Sequence, residues 1–249
     1  MLKYPWRLER RVDIMAHRKI VFVIVEGASD AEAIGIMLEQ LYSDKDVYLH
    51  ITKGDITTKK GISADNIKNA IGNMISGYAK SNHFNKSFFQ EIIHIVDMDG
   101  AYIPDTAVQL EKTAEKPQYE IDKILTKNLD GIYNRNEAKR GCLNKLSITP
   151  KIWNVPYQVY YMSCNLDHVL YDEQNLSDDE KEDKSLDFAL KYKGKVEEFV
   201  DYISNSPFSI TGSYLESWDF IKKELHSLER YTNFGICLQR AKESVQEKK

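Results

Sequence analysis

Apolar residues gather early in this chain into short, β-branched runs that stop abruptly at acids. Val21, Phe22, Val23, Ile24 and Val25 run unbroken into Glu26 and Gly27. Ile92, Ile93, His94, Ile95 and Val96 run into Asp97, Met98, Asp99 and Gly100. Runs this short and this apolar predict strands buried on both faces, as in a parallel sheet. The first is expected over 19–26 and the third over 91–97. Alternation of apolar and polar residues over 47–52 predicts a second strand between them. Ser29 and Glu32 match a capping box ahead of Ala33, Ile34, Met37, Leu38 and Leu41 at helical spacing. Ile67, Ile71, Met74 and Ile75 predict another helix within 63–80. Strand, helix, strand, helix, strand in this order suits right-handed crossovers in a parallel sheet.

Past Gly100 the periodicity fades. Residues 102–156 scatter Lys, Asn, Asp and Tyr without a sustained repeat and read as loops and short helices. A fourth strand is expected over 157–162. Helices are expected over 186–203 and 214–228, the latter opened by a Ser213/Glu216 capping box. The charged residues 241–249 read as a frayed end. There is no internal repeat and no linker-like stretch that would mark a clean boundary.

Composition narrows the class. At 249 residues, with 42% hydrophobic and 29% charged content, the chain suits one large domain or a core with an appended subdomain. Its longest apolar run, over 20–25, is too short to span a bilayer. The basic N-terminus lacks the apolar stretch of a secretory signal. Cys142, Cys164 and Cys237 are few, odd in number and far apart, which argues for reduced thiols in a cytoplasmic protein with no membrane association. No Cys/His spacing suggests zinc. The net charge of −4 counts against nucleic-acid binding, which phosphate neutralisation drives. Distribution offsets this in part, because residues 178–183 hold five carboxylates while the first nineteen residues are basic.

The acids carry the candidate chemistry. In an open α/β sheet, ligands bind in the crevice outside the C-terminal tips of the strands. Glu26, Asp97 and Asp99 are expected there, and three converging carboxylates repel one another unless a cation sits among them. All-oxygen donors point to a hard divalent ion, Mg²⁺ or Mn²⁺. Each acid also has a plainer reading. Glu26 can end a strand in a solvated turn, Asp30 can complement a helix dipole, and Asp-x-Asp-Gly is good turn chemistry. Asp97 and Asp99 at i, i+2 on a strand would face the same side. Lys53, Lys59 and Lys60 read as a solvated loop, and Trp153, Tyr157, Tyr160 and Tyr161 as core and strand residues.

The order of an apolar strand ending in Glu26 and Gly27, then Asp30, then an apolar strand ending in Asp97-x-Asp99, resembles the Toprim domain. That domain is the metal-binding catalytic module of topoisomerases, bacterial primases, maturases and OLD-type nucleases. The resemblance covers about residues 19–175, with an insertion at about 102–156 and a helical extension over 176–249. It implies an α/β fold with a Rossmann-like core and a mainly parallel sheet. It also implies Glu26 as general acid/base or metal ligand, and Asp97 and Asp99 as ligands of Mg²⁺, with Asp30 nearby. After the fourth strand, Ser163, Asn165, Asp167 and His168 match a stretch of OLD-type and RloB-like proteins. By that match Asp167 would supply a further ligand, although Glu is usual there; capping of the next helix is the plainer role of Asn165 and Asp167. His168 reads as a packing residue.

The chain has no room for a tyrosine-bearing topoisomerase domain and no zinc module of a primase. The implied function is therefore a free-standing endonuclease cutting DNA or RNA. Its expected setting is phage defence beside an ABC-type or AAA ATPase, with a homo-oligomer also open. Two rivals stand beside it. A haloacid-dehalogenase-like phosphatase would use Asp97 as nucleophile and Asp99 as acid/base, but leaves Glu26 unexplained. A non-catalytic scaffold would bind an ATPase or nucleic acid without cleaving it.

Overall fold

The computed structural model describes residues 18–43 and 45–246. Most of the basic N-terminal stretch, and residues 247–249 of the charged end, lie outside the described residues. The fold is α/β. In chain order the elements are β1 (Ile20–Val25), α1 (Ala28–Leu41), β2 (Asp46–Ile51), α2 (Ile67–Ser81) and β3 (Phe89–Asp97). Then come β4 (Val108–Leu110), β5 (Gln118–Tyr119), β6 (Ile124–Thr126), α3 (Leu129–Ser147), β7 (Lys151–Ile152) and β8 (Val155–Met162). Five helices follow: α4 (Leu166–Tyr171), α5 (Asp178–Tyr192), α6 (Val196–Asn205), α7 (Tyr214–Ile221) and α8 (Phe234–Gln246).

The main sheet runs β2-β1-β3-β8-β7, parallel except for the antiparallel edge strand β7. β1 is buried along its whole length, which is why its sequence is uniformly apolar rather than alternating. Its side chains divide by parity. Val21, Val23 and Val25 pack with α1, α5, α6 and α8 on one face. Ile20, Phe22 and Ile24 pack with α2, Cys142, Leu143 and Leu146 of α3, and Trp218 of α7 on the other. The C-terminal helices thus share the sheet's own core, and Thr232 bridges to Met162 at the end of β8.

From β1 the chain crosses to β2 on one side, and from β2 it returns to β3 on the other. The neighbours β1 and β3 therefore bound a topological switch point, where the crevice beyond the strand tips opens. A small second sheet, β4-β6-β5, packs on Ile132 of α3, Cys164 and Leu228 beside that crevice.

Several expectations need correction. Residues 102–156 are not merely loops and short helices; they hold α3, nineteen residues long, and the second sheet. The helix expected over 186–203 is two helices, broken where Gly194 takes φ +77. Starting at Asp178, α5 takes the acidic run into its first turns. The helix expected over 214–228 stops at Ile221, although its Ser213/Glu216 capping box forms. Residues 241–246 continue α8, whose Phe234, Cys237, Leu238 and Ala241 are buried, rather than fraying. Among the described residues, no helix is long and apolar enough to cross a membrane.

Candidate functional site

The tips of β1, β3 and β8 and the loop after β2 meet at one crevice. β1 and β3 pair in parallel, which sets Glu26, one residue past β1, beside Asp97, the last residue of β3. Glu26 Oε1 accepts the backbone N–H of Asp97 at 3.3 Å. Asp97 Oδ1 accepts the N–H of Leu166 at 2.9 Å, so this carboxylate also satisfies an orphan donor in the first turn of α4. Asp30 Oδ2 accepts the N–H of Gly27 at 2.8 Å; the cap of α1 is therefore Gly27 with Asp30, not Ser29 with Glu32.

Asp99 departs from the expected strand geometry. β3 ends at Asp97, and Asp99 lies in a turn at φ +48, followed by Gly100 at +66. Strand alternation therefore does not put Asp97 and Asp99 on one face. α3 holds this turn instead. Arg135 Nη2 donates to Asp99 O at 2.6 Å, Asn136 Nδ2 to Gly100 O at 3.4 Å and Arg140 Nη1 to Ala101 O at 3.2 Å.

Lys139, one turn along from Arg135 and Asn136, is fully buried. Its ammonium lies 2.5 Å from Asp99 Oδ2 and 2.9 Å from Asp55 Oδ2. Asp55 comes from the loop after β2, which was expected only to present solvated lysines. Lys53, Lys59 and Lys60 are exposed there, but Asp55 turns inward. It accepts Thr57 N at 2.7 Å, Thr57 Oγ1 at 2.6 Å and Thr58 Oγ1 at 3.0 Å. The loop is tied to β1 through Thr52 N to Val25 O and Gly54 N to Glu26 O, each at 3.0 Å.

Asp167 stands on the other wall. It is buried and ion-paired to Lys181 of α5 at 3.1 Å. Asn165 caps α4 by accepting His168 N at 2.8 Å, its plainer reading. Ser163 Oγ donates to His226 O at 2.6 Å and contacts Glu229 O, fastening the C-terminal segment to the sheet. His168 is buried within α4.

Burial is the main electrostatic force here, with like charges adding to it. Desolvation, then Asp55, Asp99 and Asp30, raise the Glu26 carboxyl well above its usual range against the pull of Lys139. Asp97 is raised the same way, by desolvation and then by Glu26, Asp30 and Asp99. Asp30 and Asp167 are raised chiefly by burial. Burial would raise Asp55 too, but Lys139 and Thr57 hold it below the usual range. Burial disfavours the Lys139 ammonium, yet Asp99, Asp55 and Glu26 together keep it protonated.

Six carboxylates (Glu26, Asp30, Asp55, Asp97, Asp99 and Asp167) thus face two ammonium groups, Lys139 and Lys181. Excess negative charge on oxygen donors fits a hard divalent cation. Among the described residues, however, no three His, Cys, Asp or Glu side chains form a ready-made metal-holding group. Asp30 Oδ2 is spent on Gly27, Asp99 Oδ2 on Lys139 and Asp167 Oδ2 on Lys181. Asp97 Oδ1 and Glu26 Oε1 likewise accept backbone N–H groups, so the donors that would hold a cation are the second oxygens of Asp97, Asp99 and Glu26.

Sequence reasoning missed Asp55, Arg135, Lys139 and Lys181. For α3 a signal existed: Ile132, Asn136, Lys139, Leu143 and Leu146 recur at helical spacing, with polar residues in the middle of the buried face. No protein-family model, curated protein or solved structure matches the chain.

Proposed function

We propose that this protein is a metal-dependent nuclease that hydrolyses phosphodiester bonds in DNA or RNA at the β1/β3 crevice. One observation carries the proposal. Glu26 and Asp97, at the tips of adjacent parallel strands, share a hydrogen bond while burial and neighbouring carboxylates raise the proton affinity of both. Buried carboxylates perturbed by desolvation and by specific charged neighbours in a crevice are candidates for a functional site.

Asp97 and Asp99 would hold Mg²⁺ or Mn²⁺, which when bound stabilises charge on phosphoryl oxygens. Glu26 is the general base. It stands beside Asp97 at the strand tips, and burial raises its affinity for a proton. In the hydrolysis, a water oxygen bonds to phosphorus as the bond from phosphorus to the leaving sugar oxygen breaks. The water proton passes to Glu26, and the leaving oxygen takes its proton from solvent on the opposite side of phosphorus. Arg135 and Asn136 hold the backbone of the Asp99–Gly100 turn still. The role in phage defence and the ATPase partner belong to the same proposal and rest on the Toprim resemblance alone.

The test is incubation of the purified protein with single- and double-stranded DNA and RNA, with and without Mg²⁺ or Mn²⁺. Metal-dependent cleavage lost in both Glu26→Gln and Asp97→Asn is the expected result. A phospho-aspartate trapped on Asp97 would replace the nuclease with the phosphatase. Tight nucleic-acid binding without cleavage would leave the scaffold.

A further inference from the structure

Lys139 is an unusual cation to find in an acidic crevice. No part of it reaches solvent, and both its carboxylate partners are themselves fixed. Asp55 is locked by three hydrogen bonds from Thr57 and Thr58. The turn carrying Asp99 is clamped by Arg135, and Asp99 N donates to Cys164 O at 2.7 Å. Asp55, Lys139 and Asp99 therefore form a rigid ion triad joining the β2 loop, α3 and the tip of β3. The ammonium sits where carboxylates from the segments after β2 and β3 converge, bridging them as a second divalent ion would.

We propose that Lys139 is a built-in substitute for that second ion, so that the crevice binds one divalent cation, at Asp97, and not two. This rests on the nuclease reading and deepens it. A second divalent ion between Asp55 and Asp99 would have to displace the ammonium, and the packed face of α3 leaves a four-carbon stem nowhere to retreat. An ion added without displacement would place +2 against +1 in a desolvated site. Lys139 neutralises part of the field permanently, and it does so without an exchangeable ligand. It is a positioning residue, because it acts through Asp99.

The decisive measurement is Mn²⁺ stoichiometry on the full chain, by calorimetric titration and by the electron paramagnetic resonance of free Mn²⁺. The wild type is expected to bind one Mn²⁺ per chain, and Asp97→Asn to lose it. Lys139→Met is expected to bind two, with lower thermal stability in metal-free buffer and a larger gain on adding Mn²⁺. Two ions per wild-type chain would overturn the proposal while leaving the nuclease reading intact. A folded Lys139→Met protein that still binds one would do the same. No ion on a folded wild-type chain would remove the metal reading and this inference together. If Lys139→Met does not fold, the wild-type count decides alone, and anomalous scattering from a Mn²⁺-soaked crystal locates the ion.

Discussion

Glu26 and Asp97, seventy-one residues apart in the chain, are joined by a 3.3 Å hydrogen bond from the backbone of one to the carboxylate of the other. The bond links the tips of β1 and β3 where the connections diverge to opposite sides of the sheet. It also leaves two carboxylates close together with little positive charge between them. Glu26 raises the proton affinity of Asp97 beyond the larger effect of burial, and Asp55, Asp99 and Asp30 do the same to Glu26.

Asp97→Asn is expected to stabilise the metal-free protein. A carboxyl raised on folding binds its proton more tightly in the folded state, so its contribution is lost as pH rises above the ordinary value of 3.8 towards the folded one. The Asn variant carries no such loss and keeps an acceptor for Leu166 N–H. Its melting temperature should exceed the wild type's near neutral pH and converge with it below about pH 4. Asp97→Ala, which orphans that N–H, should be about 1 kcal/mol less stable than Asp97→Asn. Melting curves in chelator, from pH 3.5 to 8, check both.

Glu26→Gln should separate binding from chemistry. With Glu26 as the general base, the variant keeps Mn²⁺ binding while cleavage falls by about 10²–10⁴-fold. Equal loss of Mn²⁺ affinity and cleavage would instead make Glu26 a ligand.

His94 provides a pH signature away from the acids. It is buried, bonded through Nδ1 to Tyr157 Oη at 2.8 Å, and burial lowers its pKa from 6.5 to about 4. The unfolded chain therefore binds the proton first, and stability falls as pH drops from 6.5 to about 4, by at most about 3 kcal/mol. His94→Leu should flatten that slope while losing about 1–3 kcal/mol at pH 8, because Tyr157 Oη loses its partner. Residual acid sensitivity over this range belongs to His50 and His168, both lowered by burial. Denaturant melts of both proteins across this range provide the comparison.

Gly100→Ala tests the turn that carries Asp99. At φ +66 a side chain is strained, and its Cβ would stand 3.1 Å from both Ile124 Cδ1 and Leu228 Cδ1. The strain alone costs about 1–2 kcal/mol. For a chain of this size that is a fall in melting temperature of roughly 2–8 °C. A shift within the error of zero in thermal denaturation would mean the turn does not need its glycine.

The apolar runs ending at Glu26 and Asp97 were legible in the sequence because a strand buried on both faces has no polar position to blur its pattern. Their parallel order, the first two helices and the meeting of Glu26 with Asp97 follow from that. Helix α3 was not legible, and the reason is chemical: the residues it buries include Asn136 and Lys139, which face an ionic site, so an apolar stripe is missing where function replaces it. Asp55 looked like loop chemistry because nothing local distinguishes an inward carboxylate from a solvated one. Asp99 was misplaced for a related reason, since strand alternation holds only while the strand lasts, and the turn at Asp99 and Gly100 depends on contacts from α3, thirty-six residues on. Local periodicity determined which strands exist and which acids end them. Only the tertiary structure decided which lysine reaches which acid, because an ion pair is set by where distant elements bring two side chains together.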